Sequence, residues 1–568
     1  MIKSLTDEIS YSKWAFFQVS LALFCVSIIL NLSALEGFWR WDDPAFLTHI
    51  SSYSPWQDLI NPDVWQDISP SNFTPWLTFS YTIDLTLFGL NPLLFYLHQI
   101  VVISATAVIL NALLALWLPP LYAIFSTLLF MIGSPVLLVA QQLMTRHYVE
   151  GLFFCLVSLF FFIAHLRHSS TALQIISAFF YFLATLAKEV FFPLFLILFF
   201  IPERNLSQCI RSTTPHVLIA LLYIFWRAAM LGSLTGGYTA NSDFLSQIDV
   251  AEILLSFSNF PNLFFGEYWV LIVAVYLCLT LIFVSCRPSS CLFLVIVIVS
   301  VLAPLIPLVR FPGINIADRY LLLPWLVFSI SIGFFAHRSI VRFKLSKTLL
   351  FPHPVALASL AIACATALTS LETRRIVLAT SKQFDVVGRF LWSEDDSAGY
   401  FPSTLISSSF WYVTELQKLR RFVEPTQTAP VVIVDPIFLE TEYTDSLGVI
   451  VEYSEACQCM RPSDVGVSNL LAARRQNERT NAPLTLSFKY LKNIFTWSFG
   501  PYEDGAYHIV SNTMGVNEIP RAGSQRVTLD PGVGFILRYT SPEGWTTYST
   551  LQVIDESAEE KFWRRSEL

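Results

Sequence analysis

Long apolar segments fill the first two thirds of the chain, whereas polar positions dominate the remainder. A helix needs about 20 apolar residues to cross a bilayer. We therefore predict about eleven membrane-spanning helices, at residues 14–35, 93–117, 119–141, 148–166, 171–187, 189–201, 215–232, 268–286, 291–309, 320–336 and 349–371. The first segment is long and has no small-residue cleavage site before Glu36, which indicates a retained anchor and not a signal peptide.

The charges between these segments predict the orientation of the chain. Cytoplasmic loops of membrane proteins carry an excess of Lys and Arg. If the N-terminus is cytoplasmic, the basic residues of the even-numbered loops obey this rule, namely Arg167, Arg204, Arg211, Arg287, Arg338, Arg342, Lys344 and Lys347. The long odd-numbered loops, 36–92 and 233–267, are acidic. We expect a cytoplasmic N-terminus and an extracytoplasmic C-terminal domain.

Two domains are expected from this pattern. Residues 1–371 form a transmembrane module, and residues 372–568 form a soluble α+β domain. Within the second domain, residues 403–421 predict a helix, and β-branched and aromatic runs predict strands at 431–434, 448–453, 485–490 and 535–539. Asp504-Gly505 and Asp530-Pro531-Gly532 predict turns.

The composition is typical of a membrane protein and argues against a nucleic-acid partner. Hydrophobic residues make up 54% of the 568 positions and charged residues 14%, against about 25% charged in an average soluble domain. The net charge is −7 and no basic patch occurs, so a nucleic-acid partner is not expected. Cys457 and Cys459 form a C-x-C pair, which at this stage is compatible with a metal ligand pair or a disulfide.

Ionisable residues close to apolar segments are energetically costly and mark functional sites. On the predicted topology they gather in four places on the outer side, at Asp42 and Asp43, Arg146 and His147, Lys188 and Glu189, and Arg310, Asp318 and Arg319. Each group also has a structural interpretation, as a solvated loop end, a local ion pair, a helix cap or a snorkelling anchor. Positive charge on the outer side runs against the general trend, and an anionic ligand would explain it.

Such a set of residues suits transfer of a group from a phosphate-linked donor. A carboxylate can remove the proton from an acceptor hydroxyl. Arg and Lys can neutralise the charge that grows on the departing phosphate. Because nucleotide sugars are cytoplasmic, an activated sugar on the outer side would have to be carried by a lipid.

Several segments resemble those of one enzyme family. Residues 38–44 (FWRWDDP) resemble the first outer loop of GT-C-type glycosyltransferases, which use polyprenyl-phosphate sugars. Residues 72–98, 183–190 (LATLAKEV) and 317–324 (ADRYLLLP) are similar to segments of the TMTC-type branch of the protein O-mannosyltransferase-related proteins. The resemblance spans residues 14–336 in the same order.

The resemblance implies roles for individual residues. The acid after the first span would be the catalytic base, which is Asp42 or Asp43, with Asp42 preferred. Basic residues of later outer loops would bind the carrier phosphate, namely Arg146, Lys188 and Arg319. The further candidate substrate-binding residues are His147, Glu189, Arg310, Asp318 and Tyr320. The chain departs from that branch at His147 and in lacking tetratricopeptide repeats.

These observations predict an inverting, GT-C-like membrane glycosyltransferase. It would move a sugar from a polyprenyl-phosphate-linked donor to a hydroxyl of a protein, lipid or glycan, at the outer face of a membrane such as the bacterial inner membrane. No cofactor is required, although Asp42 and Asp43 could ligate a divalent metal. The alternatives are a transporter or flippase of a lipid-linked or anionic substrate, a polysaccharide polymerase or ligase, and an inactive scaffold.

Overall fold

The chain folds into two compact units. The computed structural model describes residues 12–201, 203–232, 265–286, 290–305, 319–343, 354–393, 398–400, 410–428, 430–441, 449–463, 466–491, 494–511, 515–526, 534–554 and 561–564. The membrane unit comprises Met1–Gly37, Ser54–Leu234 and Leu245–Thr380. The C-terminal unit comprises Phe38–Tyr53, Thr235–Phe244 and Ser381–Leu568.

Helices make up the membrane unit. They are α1 (Lys13–Asn31), α3 (Pro55–Ile60), α4 (Pro62–Ile68), α5 (Pro75–Phe88), α6 (Pro92–Leu114), α7 (Pro120–Ile132), α8 (Ser134–Ala140), α9 (Arg146–His168), α10 (Thr171–Ala187), α11 (Phe195–Leu198), α12 (Leu206–Leu231), α13 (Trp269–Cys286), α14 (Ser290–Leu302), α15 (Leu322–Phe343) and α16 (Pro354–Leu391). The last of these continues past Thr380 into the C-terminal unit, which also contains α2 (Asp43–Ser52). Short 3₁₀ turns include Glu189–Leu194 and Arg319–Leu321. Many helices begin with proline, which lacks the N–H that a first turn cannot use.

Several of these helices are long and apolar enough to cross a membrane. Within the described residues there are five such helices, or up to six if the bent pair α7–α8 counts as one span. Shorter apolar helices lie at Thr171–Ala187, Glu189–Leu198 and Val295–Leu305. The chain is therefore an integral membrane protein, while the predicted number of eleven spans stays a prediction.

The bend between α7 and α8 has a local cause. The two helices meet at 57°, and Pro135 lies in the first turn of the second helix, which interrupts the hydrogen-bond ladder. A Cβ on Gly133 would lie 2.0 Å from Nε1 of Trp325. That indole nitrogen donates a hydrogen bond of 3.0 Å to the Phe130 carbonyl, so the glycine makes room for the ring that fills the bend.

Strands dominate the C-terminal unit. They are β1 (Ala398–Tyr400), β2 (Val431–Val432), β3 (Val449–Ser454), β4 (Cys459–Pro462), β5 (Thr485–Leu491), β6 (Ile494–Gly500), β7 (Ala506–Ser511), β8 (Gly515–Ile519), β9 (Ala522–Arg526), β10 (Gly534–Thr540), β11 (Thr546–Tyr548), β12 (Gln552–Val553) and β13 (Lys561–Arg564). The sheet orders are β2-β1-β3-β4, β11-β10-β7-β8 with β12 on β10, and β13-β5-β6-β9. Besides α2, the described helices α17 (Phe410–Val423), α18 (Pro436–Thr441) and α19 (Val467–Asn477) accompany them.

The α+β character predicted for this unit is confirmed. The four predicted strands correspond to β2, β3, β5 and β10. Gly505 has φ +90° in the predicted turn after Asp504, and the turn predicted at residues 530–532 lies outside the described residues. Of the two chemistries open to the C-x-C pair, the structure has the disulfide between Cys457 and Cys459. Helix α16 runs through the predicted domain boundary after residue 371, and that boundary stays a prediction.

Candidate functional site

A helical hairpin places two of the predicted site residues opposite each other. Helices α9 and α10 are joined by two residues, of which Ser169 has the left-handed φ of +52° that ends α9. Midway along the hairpin, the hydroxyls of Ser158 and Ser177 each donate to the other residue's carbonyl at 2.8 Å. Eleven residues before Ser158 and eleven after Ser177 lie His147 and Lys188, so the antiparallel register brings both to the same end of the hairpin.

Close packing holds this register. A Cβ on Gly151 would lie 2.3 Å from a ring carbon of Phe191 and 3.1 Å from Cβ of Ala187. The missing side chain therefore lets the end of α10 and the following 3₁₀ turn approach α9.

At that end of the hairpin, cationic side chains gather around two tyrosines. The Lys188 ammonium lies 5.4 Å from the ring centre of Tyr148. The rings of Tyr148 and His147 are 4.6 Å apart, and those of Tyr148 and Tyr320 are 5.9 Å apart in an edge-on arrangement. The Arg319 guanidinium lies 5.2 Å from the Tyr320 ring. We call His147, Tyr148, Lys188, Arg319 and Tyr320 the cation cluster.

Burial disfavours positive charge in the cation cluster. His147 and Lys188 are each 8% exposed, and Tyr148 and Tyr320 are buried. Burial lowers the pKa of Lys188 to about 8; adjacent Glu189 opposes this shift, and the positive charges of Arg319 and Arg227 add to it. An anion beside Lys188 would favour the charged ammonium, so the cluster has the character of an anion site.

Glu189 follows Lys188 but has different partners. Its Oε1 accepts a hydrogen bond of 2.6 Å from Nε of Arg227 and one of 3.0 Å from the backbone N–H of Phe73. The ion pair that sequence alone allows between Lys188 and Glu189 is thus replaced by one between Glu189 and Arg227.

Arg146 points into the protein. It is 0% exposed, and its guanidinium donates to Asp84 Oδ2 at 2.6 Å and to the Phe95 carbonyl at 2.9 Å. The rings of Tyr81 and Phe95 lie 4.9 and 5.4 Å from its Cζ. Protein groups therefore engage the Nη1 and Nη2 atoms of the guanidinium that the resemblance assigns to phosphate.

Asp84 and a second buried acid extend this network. His98 Nδ1 lies 2.8 Å from Asp84 Oδ1, and its Nε2 lies 3.7 Å from Glu150 Oε1. Glu150 accepts hydrogen bonds from the Ser80 hydroxyl at 2.7 Å and from the Trp76 indole at 2.6 Å. The network therefore joins α5, which carries Trp76, Ser80 and Asp84, to α6 and α9.

The predicted catalytic acids belong to the C-terminal unit and differ in environment. Asp43 is fully buried, and its Oδ2 accepts a hydrogen bond of 2.9 Å from the Arg40 N–H. Asp42 is half-buried and caps α2 through its backbone. Just before it, Trp41 has a left-handed φ of +51°, a conformation that costs about 1–3 kcal/mol for a non-glycine residue.

The turn that bears these acids is held by one carboxylate. Asp385 accepts from Nε and Nη2 of Arg40, each at 2.7 Å, and from the Phe38 N–H at 2.8 Å. The Trp41 ring packs 4.4 Å from that of Phe384. The unusual backbone at Trp41 is thus over-determined by its surroundings, as is typical of functional turns.

Of the predicted site residues, the structure brings together His147, Lys188, Arg319 and Tyr320. It gives Arg146 and Glu189 buried protein partners, and Arg310 and Asp318 lie outside the described residues. Sequence reasoning missed Tyr148, Asp84, Glu150 and Arg227. The last three could have been found, because ionisable residues in apolar segments are themselves a signal. In the part of the chain that the structure describes, no three His, Cys, Asp or Glu side chains form a metal-holding group.

Comparison with known proteins gives weak likenesses only. No family model and no curated protein matches the chain. Among solved structures, the chain is similar to ArnT from Cupriavidus metallidurans bound to undecaprenyl phosphate, at 10% identity and a TM-score of 0.38, covering 77% of this chain and 93% of that one. The apo state of that protein gives 12% and the same TM-score and coverage.

The chain is also similar to the Archaeoglobus fulgidus oligosaccharyltransferase in complex with Zn and sulfate. Here the identity is 14% and the TM-score 0.42, covering 88% of this chain and 72% of that one. TM-scores below 0.5 do not assign the chain to a family.

Proposed function

We propose that this protein is a membrane glycosyltransferase that moves a sugar from a polyprenyl-phosphate-linked donor to a hydroxyl acceptor. The observation that carries the proposal is the cation cluster, in which Lys188, His147 and Arg319 gather at the ends of apolar helices. A lipid phosphate has its charge at the end of an apolar chain, which is the combination that such a site would complement.

The chemistry assigns a task to each charge. The acceptor oxygen attacks the anomeric carbon, and the bond from that carbon to the phosphate oxygen breaks. A carboxylate takes the hydroxyl proton, and the electron pair of the broken bond leaves with the phosphate. Lys188 and Arg319 would stabilise the growing phosphate charge. Direct attack inverts the anomeric centre.

Asp42 is our preferred base. Asp43 is fully buried and accepts from the Arg40 N–H, whereas Asp42 is half-buried, the less buried of the two acids. For Arg146, which the resemblance assigns to the phosphate, we propose instead a role in holding α5 against α9, because it is fully buried and its Nη atoms donate to Asp84 and the Phe95 carbonyl.

Phosphate binding tests the proposal. The full chain in lipid nanodiscs should bind undecaprenyl phosphate and discriminate it from undecaprenol, which lacks the anion. Replacing Lys188 with Ala should weaken binding about tenfold to a hundredfold, as expected for a hydrogen bond to a charged group. The matched control is Arg211→Ala, which removes an exposed cation at the start of α12 and should bind normally. Equal affinity of the Lys188 variant and the wild type would overturn the proposal.

Transfer itself separates the enzyme from its rivals. Membrane lipids that contain polyprenyl-phosphate sugars should release free polyprenyl phosphate on incubation with the protein, measured by mass spectrometry. Asp42→Asn should abolish this release while phosphate binding persists. A flippase or scaffold would instead release none in the wild type.

A further inference from the structure

The link between α10 and the next 3₁₀ turn sends two adjacent charges in opposite directions. Lys188 has extended backbone angles, φ −158° and ψ 139°, and successive side chains along an extended chain point to opposite sides. The Lys188 ammonium therefore reaches the Tyr148 ring, while the Glu189 carboxylate reaches Arg227 and Phe73. Only one peptide unit therefore separates a side chain that contacts the cation cluster from one that contacts Arg227 and Phe73.

Glu189 and its neighbours hold both backbone polar groups of Phe73. The N–H donates to Glu189 Oε1 at 3.0 Å, and the carbonyl accepts from the Tyr223 hydroxyl at 2.7 Å. The Phe73 ring is 0% exposed and lies 5.4 Å from Trp65, 6.1 Å from Tyr223 and 5.5 Å from Trp226. Phe73 is thus the anchor of its segment.

That segment is the long outer loop before α5, and further contacts fasten it to α12. We call residues 54–74 the outer segment. The Gln66 amide donates to the Met230 carbonyl at 2.7 Å, and the Trp226 indole donates to the Leu59 carbonyl at 2.8 Å. Glu189 therefore contacts the outer segment through Phe73 and directly follows Lys188 of the cation cluster.

We propose that Glu189 is a positioning residue that ties the outer segment to Lys188, so that docking of this segment controls how tightly the cation cluster holds an anion. The inference rests on the proposed function for the identity of that anion, the carrier phosphate. A released Phe73 leaves Glu189 without one of its two donors and frees the link that aims the Lys188 ammonium.

The direction in which Glu189→Gln changes anion affinity distinguishes a positioning role from a purely electrostatic one. Glu189→Gln keeps the size of the side chain and removes its negative charge. If Glu189 acted only as a charge beside Lys188, its loss would strengthen binding of an anion. Positioning predicts the reverse. The Gln amide oxygen can still accept from the Phe73 N–H and Arg227, but both bonds lose their charge assistance, and undecaprenyl phosphate binding should weaken by about threefold to tenfold.

A second variant leaves every charge in place. Tyr223→Phe removes only the hydrogen bond to the Phe73 carbonyl and should weaken phosphate binding in the same direction. In a Lys188→Ala background it should have no further effect, because the coupling acts through Lys188. The matched control is Tyr276→Phe, whose hydroxyl lies 3.1 Å from Ser331 Oγ elsewhere in the membrane unit, and it should bind like the wild type.

The outcomes are distinct for the two proposals. If the wild type does not bind undecaprenyl phosphate, the proposed function fails and this inference fails with it. If Lys188→Ala weakens binding but Glu189→Gln strengthens it and Tyr223→Phe leaves it unchanged, only the inference is overturned. Equal weakening by Tyr223→Phe with and without Lys188 would also overturn it, since that result describes a general loss of stability.

Discussion

The fully buried pair of Arg146 and Asp84 allows a sharp prediction about stability. Asp84→Ala would leave the guanidinium at 0% exposure with no carboxylate on its Nη1, where the two atoms now lie 2.6 Å apart. Removing one partner of a buried ion pair costs about 3–5 kcal/mol, because the remaining charge stays desolvated. The Phe95 carbonyl and the two aromatic rings remain, and we expect the lower half of that range.

The reciprocal change should be milder. In Arg146→Met the side-chain volume is largely kept, and Asp84 retains His98, whose Nδ1 lies 2.8 Å from its Oδ1. A guanidinium, by contrast, cannot release its proton and stays charged when its partner is removed. We therefore expect Arg146→Met to cost about half as much as Asp84→Ala, and the double variant to cost less than the sum by about 0.5–3 kcal/mol.

Thermal unfolding of the detergent-purified protein, followed by tryptophan fluorescence, measures all three variants. Ser370→Ala is a suitable control, because it removes one hydrogen bond, from the Ser370 hydroxyl to the Ile132 carbonyl, that does not involve Arg146 or Asp84. The reasoning is refuted if Arg146→Met is the more destabilising single variant. Strict additivity in the double variant would refute it as well, since it would mean that the pair does not interact.

Three further outcomes are expected. Gly151→Ala should destabilise the hairpin by about 1–3 kcal/mol, measured by thermal unfolding, because the added Cβ would lie 2.3 Å from Phe191; unchanged stability would contradict the packing. EDTA should leave undecaprenyl phosphate binding intact, because Lys188 and Arg319 supply the positive charge of the cation cluster, and a loss of binding would point to a metal. Burial lowers the pKa of His508 in the C-terminal unit, with Arg538 adding to the shift. The stability of that unit should therefore fall as the pH drops below the ordinary histidine value of 6.5, and His508→Gln should flatten the dependence in a pH series of unfolding curves.

The pattern of apolar residues predicts where helices begin and end, but it does not predict which helices pack together or in what register. The helix predicted at residues 171–187 has the observed bounds, and the one predicted at 93–117 runs from Pro92 to Leu114. Burial and helix length are local consequences of composition, so they can be predicted from a window of sequence. The register of the α9–α10 hairpin depends on the mutual bonds of Ser158 and Ser177, and a single sequence contains no signal for such pairing.

In the candidate site, too, some features could be predicted from the sequence and others could not. Gathering of Lys188, Arg319 and His147 could be expected from charges placed against the positive-inside trend. The separate directions of Lys188 and Glu189 could not, because they follow from the extended backbone of one residue. Likewise, the sequence leaves both Asp42 and Asp43 open as the base, and only the structure shows that Asp43 is fully buried and Asp42 half-buried.

One arrangement explains why charged residues occur here as adjacent pairs. The two pairs are Arg146-His147 and Lys188-Glu189. In each pair one residue, His147 or Lys188, belongs to the cation cluster, and its neighbour is held by other protein groups. Arg146 binds Asp84 on α5, and Glu189 binds the Phe73 N–H two residues before α5 begins. The same helix is thus held at its start and near its end by the residues next to the cluster. The positive charges of Lys188 and Arg319 repel each other, so the cluster needs a scaffold that fixes its members in place. The anchors at Asp84 on α5 and at Phe73 just before it contribute to that scaffold.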